Sequence, residues 1–249
     1  MSGHSKWATI KRKKAITDGK RGKMFTQIIK EITIAARMGG GDPKSNPRLR
    51  LAIEKAKGAN MPADNIKRAI QKGTGELPGV AYEDMTYEGY GPGGVALIIE
   101  SVTDNKNRTV SEIRHMLERH NGKLGASNSV AWMFHRRGVI HIARSSSDED
   151  SLFGIILEAG ADDLKTEDDL YEIIASPEKL ETVKQALEAR GIKIEDAEIQ
   201  RIPENTVKVL GKDAEQVLKL METLEDHDDV QHVYANFDID EKVLASFNA

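Results

Sequence analysis

Apolar residues in the first third of the chain recur with the period of an α-helix. The positions are Phe25, Ile28, Ile29, Ile32 and Ala36. Their i, i+3, i+4, i+7 spacing puts them on one side of a helix, which can then pack against a core. Three consecutive glycines, Gly39 to Gly41, follow, and each disfavours a helix by about 1 kcal/mol. The pattern therefore predicts one amphipathic helix that ends at these glycines.

Two more helices are predicted by their start and stop signals. Asn46-Pro47 combines a side chain that caps a helix N-terminus with a proline suited to the first turn. Met61-Pro62 is expected to begin a third helix, and Gly73 to end it. Together the three helices predict a small helical domain within residues 1–78. The short link between the last two permits a helix-turn-helix, although plain helical hairpins look the same.

From Val80 onward the pattern changes to strands. Tyr82–Glu88 and Val95–Val102 read as two strands joined by a glycine-rich turn. Thr109 and Glu112 fit a capping box at the start of a following helix. Residues 130–134 are predicted to form another strand.

The remaining elements suggest two α+β domains, one inserted into the other. Residues 139–202 show the order βαββαβ of a ferredoxin-like unit. The tail offers only a strand, a helix and a strand, so its partners are expected among residues 80–134. The predicted fold is a multidomain α+β protein with the helical domain followed by two ferredoxin-like α+β domains. One is a discontinuous domain of residues 79–135 with 204–249, whose parts together make a second βαββαβ set, and the other is an inserted domain of residues 136–203. Three domains in simple series are the alternative.

Charge is distributed very unevenly along this pattern. Residues 1–75 hold 18 of the 36 Lys and Arg but only 5 of the 40 Asp and Glu, a formal charge of +13. The other residues carry −17, and residues 144–249 alone carry −16. A basic segment in a protein of net charge −4 indicates a polyanionic partner, most commonly nucleic acid.

The basic third divides into an arm, which extends to about Gly22, and the outward positions of the three helices, among which Lys30 and Arg37 are also counted. The candidate nucleic-acid-binding residues are Lys6, Trp7, Lys11, Arg12, Lys13, Lys14, Lys20, Arg21, Lys23, Arg48, Arg50, Lys55, Lys57, Lys67 and Arg68. Phosphate contacts by such residues confer affinity and salt dependence without sequence readout. Trp7 has two interpretations: it stacks on a base or sugar, or it packs the arm onto the helices behind it.

Other kinds of chemistry find little support. The chain has no cysteine, and Gly89, Gly91 and Gly94 match a dinucleotide-binding fingerprint only outside its strand-to-helix context. Residues 226–229, Asp-His-Asp-Asp, could hold a divalent cation, but a solvated helix end is the commoner meaning of such a run. We therefore expect a cytoplasmic protein with no enzymatic activity, cofactor, metal, membrane segment or small-molecule substrate.

Four runs resemble a known family. They are GHSKWATIKRKKAITDGKRGKMF from Gly3, GGGDPKSNPRLRLAIEKAKGANMPADNIKRAI from Gly39, YEGYGPGGVALIIESVTDNKNRT from Tyr87 and SVAWMF from Ser129. The chain resembles the YebC-like family, which includes YebC and PmpR of bacteria and the mitochondrial translational activator of cytochrome c oxidase. At Asn128 relatives often carry glycine.

The resemblance implies a three-domain cytoplasmic regulator without enzyme activity. Its bacterial members are generally described as DNA-binding transcriptional regulators, while the mitochondrial members act on translation and some bacterial members have been linked to the ribosome. The leading hypothesis is a DNA-binding transcriptional regulator. The alternatives are a ribosome-associated translation factor that binds ribosomal RNA, and an adaptor that binds acidic protein rather than nucleic acid.

Overall fold

A computed structural model of the chain describes residues 18–166 and 169–240, with Trp7, Val243, Leu244 and Phe247 as single residues. Side chains are described for Trp7 and from Arg21 onward. The helices are α1 (Asp18–Gly39), α2 (Pro47–Gly58), α3 (Ala63–Thr74), α4 (Lys106–Arg119), α5 (Glu149–Ala159), α6 (Leu180–Ala189) and α7 (Gly211–Glu225). Within the described residues, no helix is both long and apolar enough to cross a membrane.

The strands follow the same chain order. They are β1 (Glu83–Tyr90), β2 (Ala96–Thr103), β3 (Lys123–Leu124), β4 (Phe134–Ala143), β5 (Asp163–Thr166), β6 (Leu170–Ala175), β7 (Ile194–Pro203), β8 (Val207–Lys208), β9 (Val230–Ala235) and β10 (Phe237–Asp238). The protein is therefore α+β, with a helical N-terminal part ahead of the sheets, as the sequence predicts.

The three N-terminal helices share one small core. α1 packs against both α2 and α3, and the buried side chains between them include Ile32, Leu49 and Ala69. The predicted start at Asn46 is confirmed, because its Oδ1 accepts the backbone N–H of Leu49 at 3.1 Å. Asn46 also does more than cap: its Nδ2 donates to the carbonyl oxygens of Ala35 at 2.8 Å and Gly40 at 2.9 Å.

The prediction that Gly73 ends the third helix is wrong. α3 continues to Thr74, and Gly75 takes the left-handed C-cap conformation with φ of 84°. Gly73 instead lies where α3 crosses α1. A Cβ atom there would stand 2.8 Å from the Cβ of Ala36 and closer still to the carbonyl oxygen of Thr33. The glycine is required by close helix packing.

The chain divides into two compact units. One comprises Met1–Met133 with Asn205–Ala249, and the other is Phe134–Glu204. In the first unit the four-stranded sheet has the order β3-β1-β2-β9, so the tail strand β9 pairs with β2. This is the pairing that the predicted insertion requires. The boundaries of three separate domains remain a prediction.

The second unit has the ferredoxin-like arrangement expected from its βαββαβ order. Its sheet runs β5-β6-β4-β7 with every neighbouring pair antiparallel, and α5 and α6 connect the strands. The two central strands carry runs of consecutive buried residues, and Ile140 and Ile173 among them are fully buried.

Two predicted details of the first unit are wrong. Residues 130–134 are not one strand: Ala131–Met133 form a 3-10 turn, and Phe134 begins β4 of the second unit. Thr109 is not a cap either, because α4 begins earlier with Asn105 as N-cap, whose side chain accepts the N–H of Arg108. Thr109 therefore lies inside the helix and is fully buried.

The helix crossing at Gly73 gives the first testable prediction. We expect Gly73→Ala to destabilise the protein by about 1–3 kcal/mol, because the added methyl overpacks the α1–α3 contact. Gly58→Ala is the matched control: its Cβ would meet nothing within 4 Å, and alanine favours a helix by roughly 0.5–1 kcal/mol over glycine. Thermal unfolding followed by circular dichroism should separate the two variants. Equal melting temperatures would contradict the close crossing.

Candidate nucleic-acid interface

The candidate residues of the arm fall outside what the structure describes. Lys6, Lys11, Arg12, Lys13 and Lys14 are not among the described residues, and the side chain of Lys20, near the start of α1, is not described. Their assignment to the interface remains a prediction.

Several predicted cations are exposed on the helices. Arg21 lies at the start of α1, and Lys55 and Lys57 lie in the last turn of α2. Lys67 and Arg68 are exposed in the middle of α3, where Arg68 contacts the carboxylate of Asp64 at 2.9 Å. Lys72, one turn further along α3, is exposed as well. Among the described residues, no carboxylate lies within 4.0 Å of the charged groups of Arg21, Lys57, Lys67 or Lys72, and these four side chains face solvent.

Arg48 was predicted to bind phosphate, but the structure gives it another role. Its guanidinium holds the carboxylate of Glu31 at 2.7 and 3.0 Å and that of Asp84 at 2.6 and 2.9 Å. Two bidentate pairs use the fork geometry of arginine fully. The hydrogen bond with Asp84 raises the pKa of Arg48 above its usual value despite partial burial. Arg48 therefore connects α1, α2 and β1 and is a poor candidate for phosphate binding.

Arg50 and Lys23 are also engaged with the protein itself. The guanidinium of Arg50 donates to the carbonyl oxygen of Pro43 at 3.0 Å, which holds the loop before α2. Lys23 Nζ lies 3.6 Å from a carboxylate oxygen of Asp226. That aspartate is about half exposed, so the pair is weak and could exchange for a phosphate. Of the two, Arg50 is the clearer departure from the prediction.

Trp7 is a core residue. Its side chain is 2 % exposed, its ring lies 5.9 Å from that of Phe247, and its Nε1 donates to Glu225 at 3.1 Å. A ring buried in this way cannot stack on a base, so the packing interpretation holds. It packs against the α+β sheet region and the tail, whereas packing onto the N-terminal helices had been expected.

Among the basic residues of the helices, Lys30 differs most from its predicted exposure. Predicted to face outward, it is 8 % exposed, and its Nζ donates to the carboxylate of Asp229 at 2.6 Å and to the carbonyl oxygen of Asp228 at 2.9 Å. Lys30 lies on α1, whereas Asp229 precedes β9, about 200 residues later. The contact therefore joins the basic helices to the α+β sheet.

Asp229 is the centre of a buried polar network that sequence reasoning missed. Its Oδ2 accepts hydrogen bonds from Arg108 at 2.7 Å, Thr109 at 2.7 Å and Thr103 at 3.1 Å. Burial alone would raise the pKa of Asp229, but the hydrogen bonds from Lys30, Arg108 and Thr109 outweigh it and hold that pKa well below its usual range. The carboxylate is therefore charged under all mild conditions. In the sequence Asp229 belongs to the run 226–229, for which a solvated helix end is expected, but its side chain is buried, with 2 % exposed. Its partner Thr109 is predicted as a helix cap, which is wrong.

A cleft of about 590 Å³ opens beside this network, lined by residues that include Tyr82, Asp104 and Glu112. Glu112, His227 and Asp229 bring one ligand atom each within 4.8 Å of the others, a spacing that a metal ion could use. Their atoms are already committed. His227 Nε2 lies 2.8 Å from Glu112, its Nδ1 accepts the N–H of Asp229, and both oxygens of Asp229 hold cations or hydroxyls. The set does not fit a metal ion.

These observations define a class of protein: a multidomain α+β chain whose basic helical domain is joined to an acidic body through a buried ion pair. Residues 5–76 match the family model described as TACO1/YebC protein N-terminal domain, and residues 82–237 match the one described as TACO1/YebC second and third domain. The chain belongs to the TACO1/YebC family, which confirms the resemblance expected from the four sequence runs.

Individual relatives align along the entire chain. A protein of Dictyoglomus turgidum is 58% identical over 249 residues, covering 100% of both chains, and a protein of Chloroherpeton thalassium is 59% identical over the same extent. Both are named probable transcriptional regulatory protein. The crystal structure of a conserved hypothetical protein from Aquifex aeolicus superposes with a TM-score of 0.83 at 48% identity, covering 90% of this chain and 93% of the other.

The Asp229 network gives the second prediction. We expect Asp229→Asn to lower the free energy of unfolding by about 3 kcal/mol at pH 7, because Lys30 and Arg108 lose their counter-charge. Asp226→Asn, at an exposed pair, should cost less than about 1 kcal/mol and serves as the matched control. Urea denaturation measures both.

The pH dependence has a definite sign. Because the folded pKa of Asp229 is depressed, its contribution is complete above the unfolded pKa of about 3.9 and disappears as pH falls below it. The difference between the protein and its Asp229→Asn variant should be constant from neutral pH to about pH 5 and shrink below about pH 4. A difference that persists unchanged in acid would contradict this.

Proposed function

We propose that this protein is a nucleic-acid-binding regulator of gene expression whose basic helices hold backbone phosphates. The observation that carries the proposal is the set of exposed cations on α2 and α3, Lys57, Lys67 and Lys72, for which the described residues supply no carboxylate partner. Uncompensated positive charge on one part of an otherwise acidic protein creates a field that attracts and orients a polyanion.

The proposed interface combines these helices with the arm. Its members are Lys6, Lys11, Arg12, Lys13, Lys14, Lys20, Arg21, Lys23, Lys55, Lys57, Lys67, Arg68 and Lys72. The proposed interface does not include Arg48, Arg50 or Trp7, because their side chains already make contacts within the protein. Contacts of this kind are made to phosphate and sugar, so they position the protein without reading a sequence.

Within this function, the names of the relatives favour regulation of transcription and hence DNA as the target. A ribosome-associated factor that binds ribosomal RNA is the alternative, since the same cations would serve an RNA backbone equally well. The two versions differ in which nucleic acid is bound in the cell, and phosphate contacts alone do not distinguish them.

The interface predicts a loss of both affinity and salt dependence on charge removal. Replacing Lys57, Lys67 and Lys72 by glutamine should weaken binding to a DNA duplex and to a structured RNA. Each lost phosphate contact should reduce the slope of log affinity against log salt by about 0.9 on duplex DNA. Fluorescence anisotropy titrations at several salt concentrations measure both quantities.

The control removes the same charge elsewhere. Lys208, Lys212 and Lys219 are exposed in the acidic tail, so their replacement by glutamine changes net charge equally. This variant should bind as the unchanged protein does. If both triple variants lose affinity to the same extent, net charge and not the helical surface governs binding. If the unchanged protein binds no polyanion at low salt, the adaptor hypothesis replaces the proposal.

Crosslinking in cells distinguishes the two targets. Ultraviolet crosslinking, followed by sequencing of both the DNA and the RNA recovered with the full chain, should enrich promoter DNA if transcription is the regulated step. Dominant recovery of ribosomal RNA would instead assign the protein to translation. The glutamine variant of the three helix lysines provides the background in both cases.

A further inference from the structure

The two tryptophans of the chain have opposite environments. Trp7 is 2 % exposed, whereas Trp132 is 63 % exposed in the 3-10 turn Ala131–Met133. Its exposed indole presents a flat aromatic face with a polar N–H at its edge, a combination that is enriched at binding surfaces. None of the contacts described for the helical interface involves it.

The loop that carries Trp132 is held rigidly. The carboxylate of Glu88, 8 % exposed, accepts the backbone N–H groups of Asn128 at 2.7 Å and of Val130 and Ala131 at 2.8 Å each. Asn128 has φ of 63°, the left-handed conformation that asparagine and glycine tolerate best. A side chain on such a backbone is presented with little entropy left to lose on binding.

A second aromatic ring and a cation lie beside this loop. Tyr90 Oη donates to the carbonyl oxygen of Ser129 at 3.2 Å, and Trp132 Nε1 donates to the same oxygen at 3.3 Å. Lys123 Nζ lies 5.4 Å from the centre of the Tyr90 ring and is exposed. A recess of about 270 Å³ adjoins them, lined by Tyr90, Gly91, Gly94, Asn121, Gly122 and Lys123.

Local charge also favours an anionic partner. Residues 106–133 contain five Lys and Arg against two acids, Glu112 and Glu118, for a formal charge of +3. Residues 144–249, by contrast, carry −16. An exposed indole within a basic segment suits a ligand that has both a planar ring and a phosphate.

We propose that Trp132, Tyr90 and Lys123 form a stacking site for the unpaired bases of a single-stranded DNA or RNA segment. Trp132 offers its exposed face to one base, the recess beside Tyr90 accepts a neighbouring one, and Lys123 meets the backbone phosphate. Stacking of this kind tolerates any base and supplies about 1–3 kcal/mol per base. The inference rests on the proposed function and adds to it: the basic helices hold backbone, and this second surface selects strands that are not paired.

The experiment compares single strands with a duplex in the full chain. Trp132→Ala should weaken binding to oligo(U) and oligo(dT) by roughly tenfold, as the loss of one stacked base implies, and leave affinity for a blunt DNA duplex unchanged. Trp132→Phe keeps an aromatic face and should retain most of the affinity. Salt dependence should not change in either variant, because no charge is removed.

Fluorescence supplies an independent readout. Stacking of a base on the exposed indole should quench tryptophan emission on addition of oligo(U). The quenching should vanish in Trp132→Phe, whose remaining tryptophan is buried. Comparison of oligo(U) with oligo(dT) shows whether the site distinguishes RNA from DNA.

Three results would overturn the inference. Unchanged single-strand affinity in Trp132→Ala removes the stacking role, and equal loss on single strand and duplex makes the residue merely structural. A change in self-association, measured by analytical ultracentrifugation, would make the surface a protein-docking site. The proposed function is tested separately by the lysine variants: if these lose affinity while Trp132→Ala does not, only the stacking site fails.

Discussion

A single buried carboxylate joins the helical domain to the rest of the first unit. Asp229 accepts from Lys30 on α1 and from Arg108 and Thr109 on α4, so two helices distant in sequence meet at one charge. A carboxylate removed from water is tolerated only when its oxygens are fully hydrogen-bonded, and here both are. Any displacement of α1 would leave a buried charge without its partner. The requirement therefore fixes where the basic helices stand relative to the sheet. Arg48 and Lys23 add more exposed connections through Asp84 and Asp226.

Local signals predicted the helical part well because the forces there are local. Asn46 and Pro47 determine a helix start through groups two or three residues away, and the apolar stripe of α1 determines the buried side. The predictions were wrong where contacts between residues distant in sequence determine the local structure. Gly73 resembles a helix stop in sequence, yet it is needed where α3 crosses α1. Residues 130–134 have the composition of a strand, but the carboxylate of Glu88 holds their backbone N–H groups in a turn.

The sequence predicts the candidate interface only as a set of cations, and that assignment stays a prediction. Composition shows how many cations a segment has and not which of them the fold neutralises. Lys30 and Lys57 look alike in sequence, but an acid from the far end of the chain reaches Lys30, whereas Lys57 stays exposed. Arg48 likewise meets Asp84, which no helical periodicity could anticipate. Trp7, for which the sequence allows two interpretations, is buried. The exposed indole is that of Trp132, which the sequence shows only as part of the run SVAWMF.

The position of β9 beside β2 has a consequence for the order in which the chain can fold during synthesis. β2 spans Ala96–Thr103, but its neighbour β9 is complete only at Ala235, after the whole of Phe134–Glu204 has been made. Until then one edge of β2 carries unpaired backbone groups, and such edges invite association with other chains. The ferredoxin-like unit has all its strands by Pro203 and can form first. The basic helices are likewise synthesised long before Asp229. For most of translation, Lys30 therefore lacks the carboxylate with which it later forms a buried ion pair.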